Sequence, residues 1–139
     1  MKLTVKPIQS PEELVQAHKI RKTVFVIEQA CPEDIEWEFE DESNHYIAIY
    51  DGEIVGTSRW RTTENGIKME RFAILRSYRN KKIGTALLKT MLQETQPLGA
   101  KIYLHAQLHA ASFYAKYGFV PDGQHFWEGG IEHVKMVYK

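Results

Sequence analysis

Tyr78-Arg79-Asn80-Lys81-Lys82-Ile83-Gly84-Thr85-Ala86-Leu87-Leu88 is the stretch on which the reading of this chain turns. Ile83, Leu87, Met91 and the offset pair Leu88 and Leu92 follow a 3.6-residue period that predicts a helix. The residues from Ile67 to Leu75, upstream of it, read as a strand. A helix start leaves backbone N–H groups without intrahelical partners and carries the positive end of the peptide dipoles. Arg79, Lys81 and Lys82 add positive charge there, and Gly84 lets the backbone come close to a ligand. The combination is an anion cradle suited to a phosphate or pyrophosphate. A solvated basic loop before an ordinary helix is the competing reading. The stretch has no Gly-Lys-Ser/Thr ending, so it is not a Walker A loop. The first two glycines of a dinucleotide fingerprint are missing as well.

Upstream of this stretch the chain reads as a meander. Tyr46 to Tyr50 is a strand run, Asp51-Gly52 a hairpin turn, Glu53 to Arg61 a second strand and Asn65-Gly66 a second turn into Ile67. Leu3 and Val5 alternate with polar residues as a first strand. Ser10-Pro11-Glu12-Glu13 then marks a helix start. That helix is predicted from Pro11 to Glu28, burying Leu14, Ala17, Ile20, Val24 and Ile27. The acidic segment Glu33 to Asn44 reads as a loop or short helix anchored by Trp37 and Phe39.

Downstream, Pro97 and Gly99 stop the central helix, and Lys101 to Ala106 alternates as a strand. A short helix is expected from His109 to Tyr117, closed by Gly118, then strands over Phe119 to Phe126 and His133 to Tyr138. The predicted fold class is α/β, with a mixed, mostly antiparallel central sheet and helices on both faces. The strands at 67–75 and 101–106 pair in parallel through a right-handed crossover helix.

The chain's 139 residues fit one domain, 1–139. Eighteen basic and eighteen acidic residues cancel, which gives no overall attraction to nucleic acid or an anionic membrane. The lone Cys31 permits no intrachain disulfide and no cysteine-rich zinc site. His105 and His109 are four apart but straddle a strand-to-helix change, so no metal site is expected. No signal-like or membrane-spanning apolar run is present, and a cytoplasmic location is expected by exclusion.

Tyr78 to Leu88 resembles the acetyl-CoA-binding motif of the GNAT superfamily of N-acetyltransferases. Arg79 and Gly84 match its Arg/Gln-x-x-Gly-x-Gly/Ala pattern, while Lys82 stands where glycine is usual and Asn80 where it is common. Phe113-Tyr114-Ala115-Lys116-Tyr117-Gly118-Phe119 resembles the second signature, Phe-Tyr followed after three residues by Gly-Phe. Arg21 to Gln29, Gln107, His109 and Gly130 to Met136 are similar to a smaller group of bacterial members.

The resemblance implies a GNAT-like acyl-CoA N-acyltransferase fold and acetyl-CoA as co-substrate. It implies transfer of the acetyl group to a primary amine of a small molecule, directly in a ternary complex. Arg79, Asn80, Lys81, Lys82, Gly84 and Thr85 would hold the pyrophosphate. Phe72, Ala73 and Ile74 would hold the pantetheine by their backbone, and Gln107 would contact the cofactor near it. Tyr114 would be the general acid for the departing thiolate. The base is open among Glu70, Glu28, His109 and His133, with Glu28 and His133 also candidates for acceptor binding. Period-two alternation puts Glu70 on the face of Phe72. The acids at 33–42 would attract a cationic amine such as a polyamine, aminoglycoside or lysine, or else form a solvated face. The alternatives are a CoA-binding module with little catalysis, a longer acyl-CoA and a protein amine. The expected assembly is a monomer or homodimer.

Overall fold

A computed structural model describes residues 2–29 and 43–139. The expectations for Cys31, Trp37, Phe39 and the acids at 33–42 lie outside the described residues. The elements are β1 (Leu3–Pro7), α1 (Pro11–Arg21), β2 (Asn44–Tyr50), β3 (Glu53–Thr63), β4 (Gly66–Ile74), α2 (Ile83–Thr95), β5 (Ile102–Gln107), α3 (Ala111–Ala115), β6 (Phe119–Pro121), β7 (Phe126–Glu128) and β8 (Ile131–Tyr138). The strands form one sheet in the order β1-β2-β3-β4-β5-β8-β6, with β7 also on β8. The β4–β5 pair is parallel and the other pairs are antiparallel, as expected from the crossover through α2.

Ser10 caps α1, its Oγ accepting from Glu13 N at 3.2 Å with Pro11 in the first turn. The helix continues to Glu28 as predicted, but Lys22–Glu28 is a π-helix. Gln29 N bonds to Val24 O, five residues back, so the turn is wider there. The buried face rotates accordingly. Ala17, Ile20 and Val24 are buried as expected, but Phe25 takes the place of Ile27, which is 68% exposed. This cluster packs on Ala73, from one face of the sheet.

On the other face, α2 lays Ile83, Leu87, Leu88, Met91 and Leu92 against Ala48, Val55, Ile67, Met69 and Leu104. Each such side chain contributes on the order of 1.5–3 kcal/mol when fully buried. Helices therefore cover both faces. The short helix after β5 begins with a 3₁₀ turn at Leu108–Ala110, so α3 proper is shorter than the predicted span. The predicted strand from Phe119 to Phe126 is two strands. Pro121 lacks the N–H to continue a ladder, and Gly123 turns at a φ of 101°. Gly129 and Gly130, at φ 60° and 79°, then close a hairpin between β7 and β8.

The feature that positions the site is where β4 leaves β5. Their pairing covers Ile67–Ile102, Lys68–Tyr103 and Met69–Leu104 and goes no further. Beyond it, β5 stays on β8 as far as Gln107–His133, while β4 stays on β3 through Ala73 and Ile74. Arg71 adopts a left-handed φ of 58°, opposite a register shift between Thr57 and Arg59. This is a β-bulge, and it inverts the alternation of side chains along β4. Met69, Phe72 and Ile74 all join the α2-side core, while Ala73 joins the α1-side cluster.

Gly66 anchors the parallel pair. Its φ is 125°, and a Cβ there would lie 2.3 Å from Lys101 O, the oxygen that accepts from Ile67 N at 2.7 Å. Gly66→Ala is expected to cost about 2 kcal/mol or more, and to lower Tm by roughly 5 °C or more. Thermal unfolding followed by circular dichroism checks this, and an unchanged Tm would contradict the close approach.

Candidate functional site

The divergence of β4 and β5 opens a cleft of about 700 Å³. Its floor comes from β4 and β5, and its rim from the π segment of α1, the start of α3 and the β7–β8 hairpin. Of the residues singled out in the sequence, Phe72, Ile74, Arg79, Gln107 and Tyr114 border it. So do Glu28, Glu70, His109 and His133. Among the described residues, the edge of β4 that faces β5 has no ladder partner beyond Met69, which leaves its backbone groups toward the cleft.

The loop between β4 and α2 has one unusual feature. Asn80 and Lys82 both have left-handed backbones, with φ of 65° and 64°. Both stand where glycine is usual or common in the motif that the stretch resembles. The loop therefore keeps a glycine-type path with side chains that tolerate it poorly, at roughly 1–2 kcal/mol for a lysine. Lys82 caps α2, and Ala86 N makes the first helical bond to Lys82 O at 3.1 Å. The amides just after Lys82 lie at the helix start. Arg79 turns back from the loop. Its Nε donates to Ile74 O at 2.9 Å, and its Nη2 donates to Glu28 at 3.0 Å. Lys81 Nζ lies 5.9 Å from the centroid of the Tyr50 ring, and Thr85 Oγ1 is 3.0 Å from Tyr117 Oη. Gly84 has room for little: a Cβ would approach Ile74 Cδ1 at 3.3 Å.

Tyr114 is 9% exposed, with its ring edge-on to Phe72 at 5.7 Å and to Phe113 at 5.1 Å. Burial pushes its phenol well above the ordinary tyrosine range, so the group stays protonated and able to donate. Gln107 and Gln29 exchange amide hydrogen bonds at 3.0 and 3.3 Å, which ties the π segment of α1 to the end of β5. Glu28 is engaged by Arg79. His109 is exposed at the rim.

His133 is buried and stacks on Phe126. Its Nδ1 lies 2.7 Å from Ile131 O, which can only accept, so Nδ1 carries the hydrogen. In the neutral ring Nε2 is then an acceptor, 3.9 Å from Glu128 Oε1.

Glu70 departs from expectation. The bulge at Arg71 separates it from Phe72, and it lies on the opposite face. It receives Arg59 Nε at 2.7 Å and Arg61 Nε at 3.1 Å, with Lys68 Nζ 3.4 Å away. Burial would raise its pKa, but Arg59, Lys68 and Arg61 outweigh that and hold the carboxyl below its usual range. A carboxylate so engaged is a poor proton acceptor.

Four charged residues of the cleft lining stand outside the sequence reading: Arg61, Lys68, Arg71 and Glu128. The hydrogen bond from His105, at 3.4 Å, brings the Glu128 carboxyl down to about 2; burial opposes this and Lys68 assists it. The Gly129-Gly130 pair is a hairpin signal that would have placed Glu128 close to His133. Among the described residues, no group of three or more His, Cys, Asp or Glu is arranged to hold a metal, and no helix is long and apolar enough to cross a membrane.

The family description "Acetyltransferase (GNAT) domain" matches residues 7–139. The chain is 38% identical over 134 residues to the uncharacterized N-acetyltransferase YjcF of Bacillus subtilis (strain 168), covering 93% of this chain and 94% of that protein. It superposes on an acyl-CoA N-acyltransferase from Pseudomonas aeruginosa with a TM-score of 0.84, 28% identity and 99% of each chain covered. A GNAT family acetyltransferase from Elizabethkingia anophelis, solved with acetyl-CoA bound, shares the fold. Its TM-score is 0.65, with 19% identity and coverage of 97% of this chain and 94% of that one.

Two substitutions test the site's construction. Lys82→Gly relieves the left-handed lysine and is expected to raise stability by about 0.5–1 kcal/mol, part of the relief being offset by glycine's chain entropy. A loss in urea unfolding would mean that the lysine side chain itself holds the loop. Glu70→Gln removes the Glu70 charge from beside Arg59, which is 1% exposed, and is expected to cost about 3 kcal/mol. Because the folded pKa of Glu70 is depressed, its stabilisation is present above pH 4.5 and is lost as pH falls through the folded value. Urea unfolding across acid pH should therefore show a shallower pH dependence in Glu70→Gln, and an unchanged slope would contradict the ion-pair cluster.

Proposed function

We propose a specific reaction for this chain, which belongs to the GNAT acetyltransferase family and is an acyltransferase enzyme. The reaction is direct transfer of the acetyl group of acetyl-CoA to a primary amine of a small molecule, with both substrates bound together. The observation that carries it is the open edge of β4 beyond Met69, which runs from the cradle at the start of α2 past Phe72 to Tyr114. A narrow acyl carrier with an anionic end fits such a path. The amides after Lys82 and the basic side chains beside them would receive the pyrophosphate, and the Phe72–Ile74 backbone would receive the pantetheine amides.

Acetyl-CoA supplies an activated thioester carbonyl. Backbone N–H groups on the open edge of β4 stabilise the negative charge that grows on the carbonyl oxygen as the amine adds. The nitrogen–carbon bond forms and the carbon–sulfur bond breaks. Tyr114 gives its phenolic proton to the departing sulfur, and the nitrogen loses its proton to a base. His133 suits that role better than Glu70, because its Nε2 is free of the hydrogen in the neutral ring while Glu70 is held by three cations. His133 then returns the proton through solvent to Tyr114.

Tyr114→Phe keeps the aromatic packing and removes only the donor. It is expected to lower kcat by about 10²-fold or more, with acetyl-CoA affinity unchanged. Free-thiol release and calorimetry measure the two quantities. Unchanged turnover would remove Tyr114 from the mechanism. Tight CoA binding with no thiol release from any amine would favour a binding module over an enzyme acting on small amines.

A further inference from the structure

We propose that the acceptor is an alkylamine bound as its ammonium ion, and that Glu128, facing His133, is the residue that selects it. The ammonium sits between Glu128 Oε1 and His133 Nε2, and His133 takes its proton there. This rests on the acetyl-transfer reading above and names the class of acceptor and the residue that recognises it.

The first ground is a pair of hydrogen-bond acceptors that face each other. His133 Nδ1 holds its hydrogen against Ile131 O at 2.7 Å, so Nε2 of the neutral ring offers a lone pair. An ionised carboxylate likewise only accepts. Glu128 Oε1 stands 3.9 Å from that Nε2, beyond hydrogen-bonding distance, and neither atom has a hydrogen to give the other. A group that brings two N–H bonds between them satisfies both. An alkylammonium ion brings three, with a charge opposite to the carboxylate's. An alcohol brings one hydrogen and no charge. Both side chains border the cleft that Phe72 and Tyr114 also border, so an amine held here shares that space with the open edge of β4.

The second ground is how the pair is held. His105 on β5, Glu128 on β7 and His133 on β8 come together from three strands. His105 Nδ1 lies 3.4 Å from Glu128 Oε2, which leaves Oε1 on the side of His133. Phe126, opposite His133 in the β7–β8 register, stacks on its ring at 5.8 Å and meets the His105 ring edge-on at 4.9 Å. The Glu128 side chain is 46% exposed, so a ligand can reach it, and its depressed pKa keeps it ionised at neutral pH. Among the cations of the same lining, Arg61 and Lys68 are ion-paired with Glu70 and Arg79 with Glu28, while Arg71 lies over the Phe25 ring. In the reaction one N–H bond of the ammonium breaks and an Nε2–H bond forms. The lone pair so freed makes the new bond to the acyl carbon. The imidazolium then stands beside the carboxylate that held the ammonium, so the positive charge passes from ligand to ring without leaving Glu128.

The test uses the full chain loaded with CoA. Calorimetry at neutral pH compares a series of primary alkylamines with the alcohols of the same carbon skeletons. The preferred amine should bind at least about tenfold more tightly than its alcohol, the discrimination expected of one charge-assisted hydrogen bond. Glu128→Gln, which keeps the shape and removes the charge, should erase that margin. In thiol release from acetyl-CoA it should raise KM for the amine by about tenfold or more. Glu128→Asp, which keeps the charge, should retain part of the margin. A role confined to packing the hairpin would weaken amine and alcohol alike in both variants, and that result would overturn the proposal. So would an amine that wild type binds no better than its alcohol. Either result leaves acetyl transfer standing if thiol is released. If no amine releases thiol, the reaction reading fails, and the calorimetric comparison of amine with alcohol still decides this inference by the same two outcomes.

Discussion

The left-handed turn of a single strand residue, Arg71, sets the geometry on which the rest of the site depends. The bulge lies on the β3–β4 ladder, just beyond Met69–Leu104, the last pair between β4 and β5. It lets Met69 and Phe72 sit on the same side, against the α2 core, and turns Glu70 to the other. β5 remains bound to β8, and β4 remains bound to β3, so the two strands part after Met69 and Leu104. The backbone groups left open there would cost free energy in a closed core. At the mouth of a cleft they can hydrogen-bond to water or to a ligand.

Strain recurs at the bulge and in the loop before α2. Arg71, Asn80 and Lys82 are non-glycine residues with positive φ, the first at the bulge and the other two in that loop. The α2 core offsets such costs, since Ile83, Leu87, Leu88 and Met91 are almost wholly buried directly behind the loop. Charge is divided in a similar way. The helix start faces one end of the cleft, and the Arg59–Glu70 cluster lies beneath the other. A net charge of zero conceals both.

The meander, the crossover and the α2 face were legible because each rests on a local signal: Asp51-Gly52, Asn65-Gly66 and the spacing of Ile83, Leu87 and Met91. The two GNAT-like signatures placed Tyr114 and the loop at 79–85, and the structure sets Tyr114 and Arg79 on one cleft. What escaped has physical causes. The π turn after Arg21 carries no composition mark, so an ideal 3.6 period buried Ile27 in place of Phe25. A bulge formed by arginine leaves no glycine to announce it, and period-two reasoning therefore put Glu70 on the wrong face. The Gly129-Gly130 pair is a local turn signal, and the hairpin it closes brings Glu128 toward His133.

Hydrogen–deuterium exchange of the full chain, with and without saturating CoA, tests most directly whether the divergence at Arg71 forms the cofactor path. The account predicts slower exchange in two segments, residues 70–75 of β4 and residues 82–86 at the start of α2, with little change along β1 and β2. CoA binding that protects the β1–β2 edge or α1 and leaves both segments unchanged would contradict it.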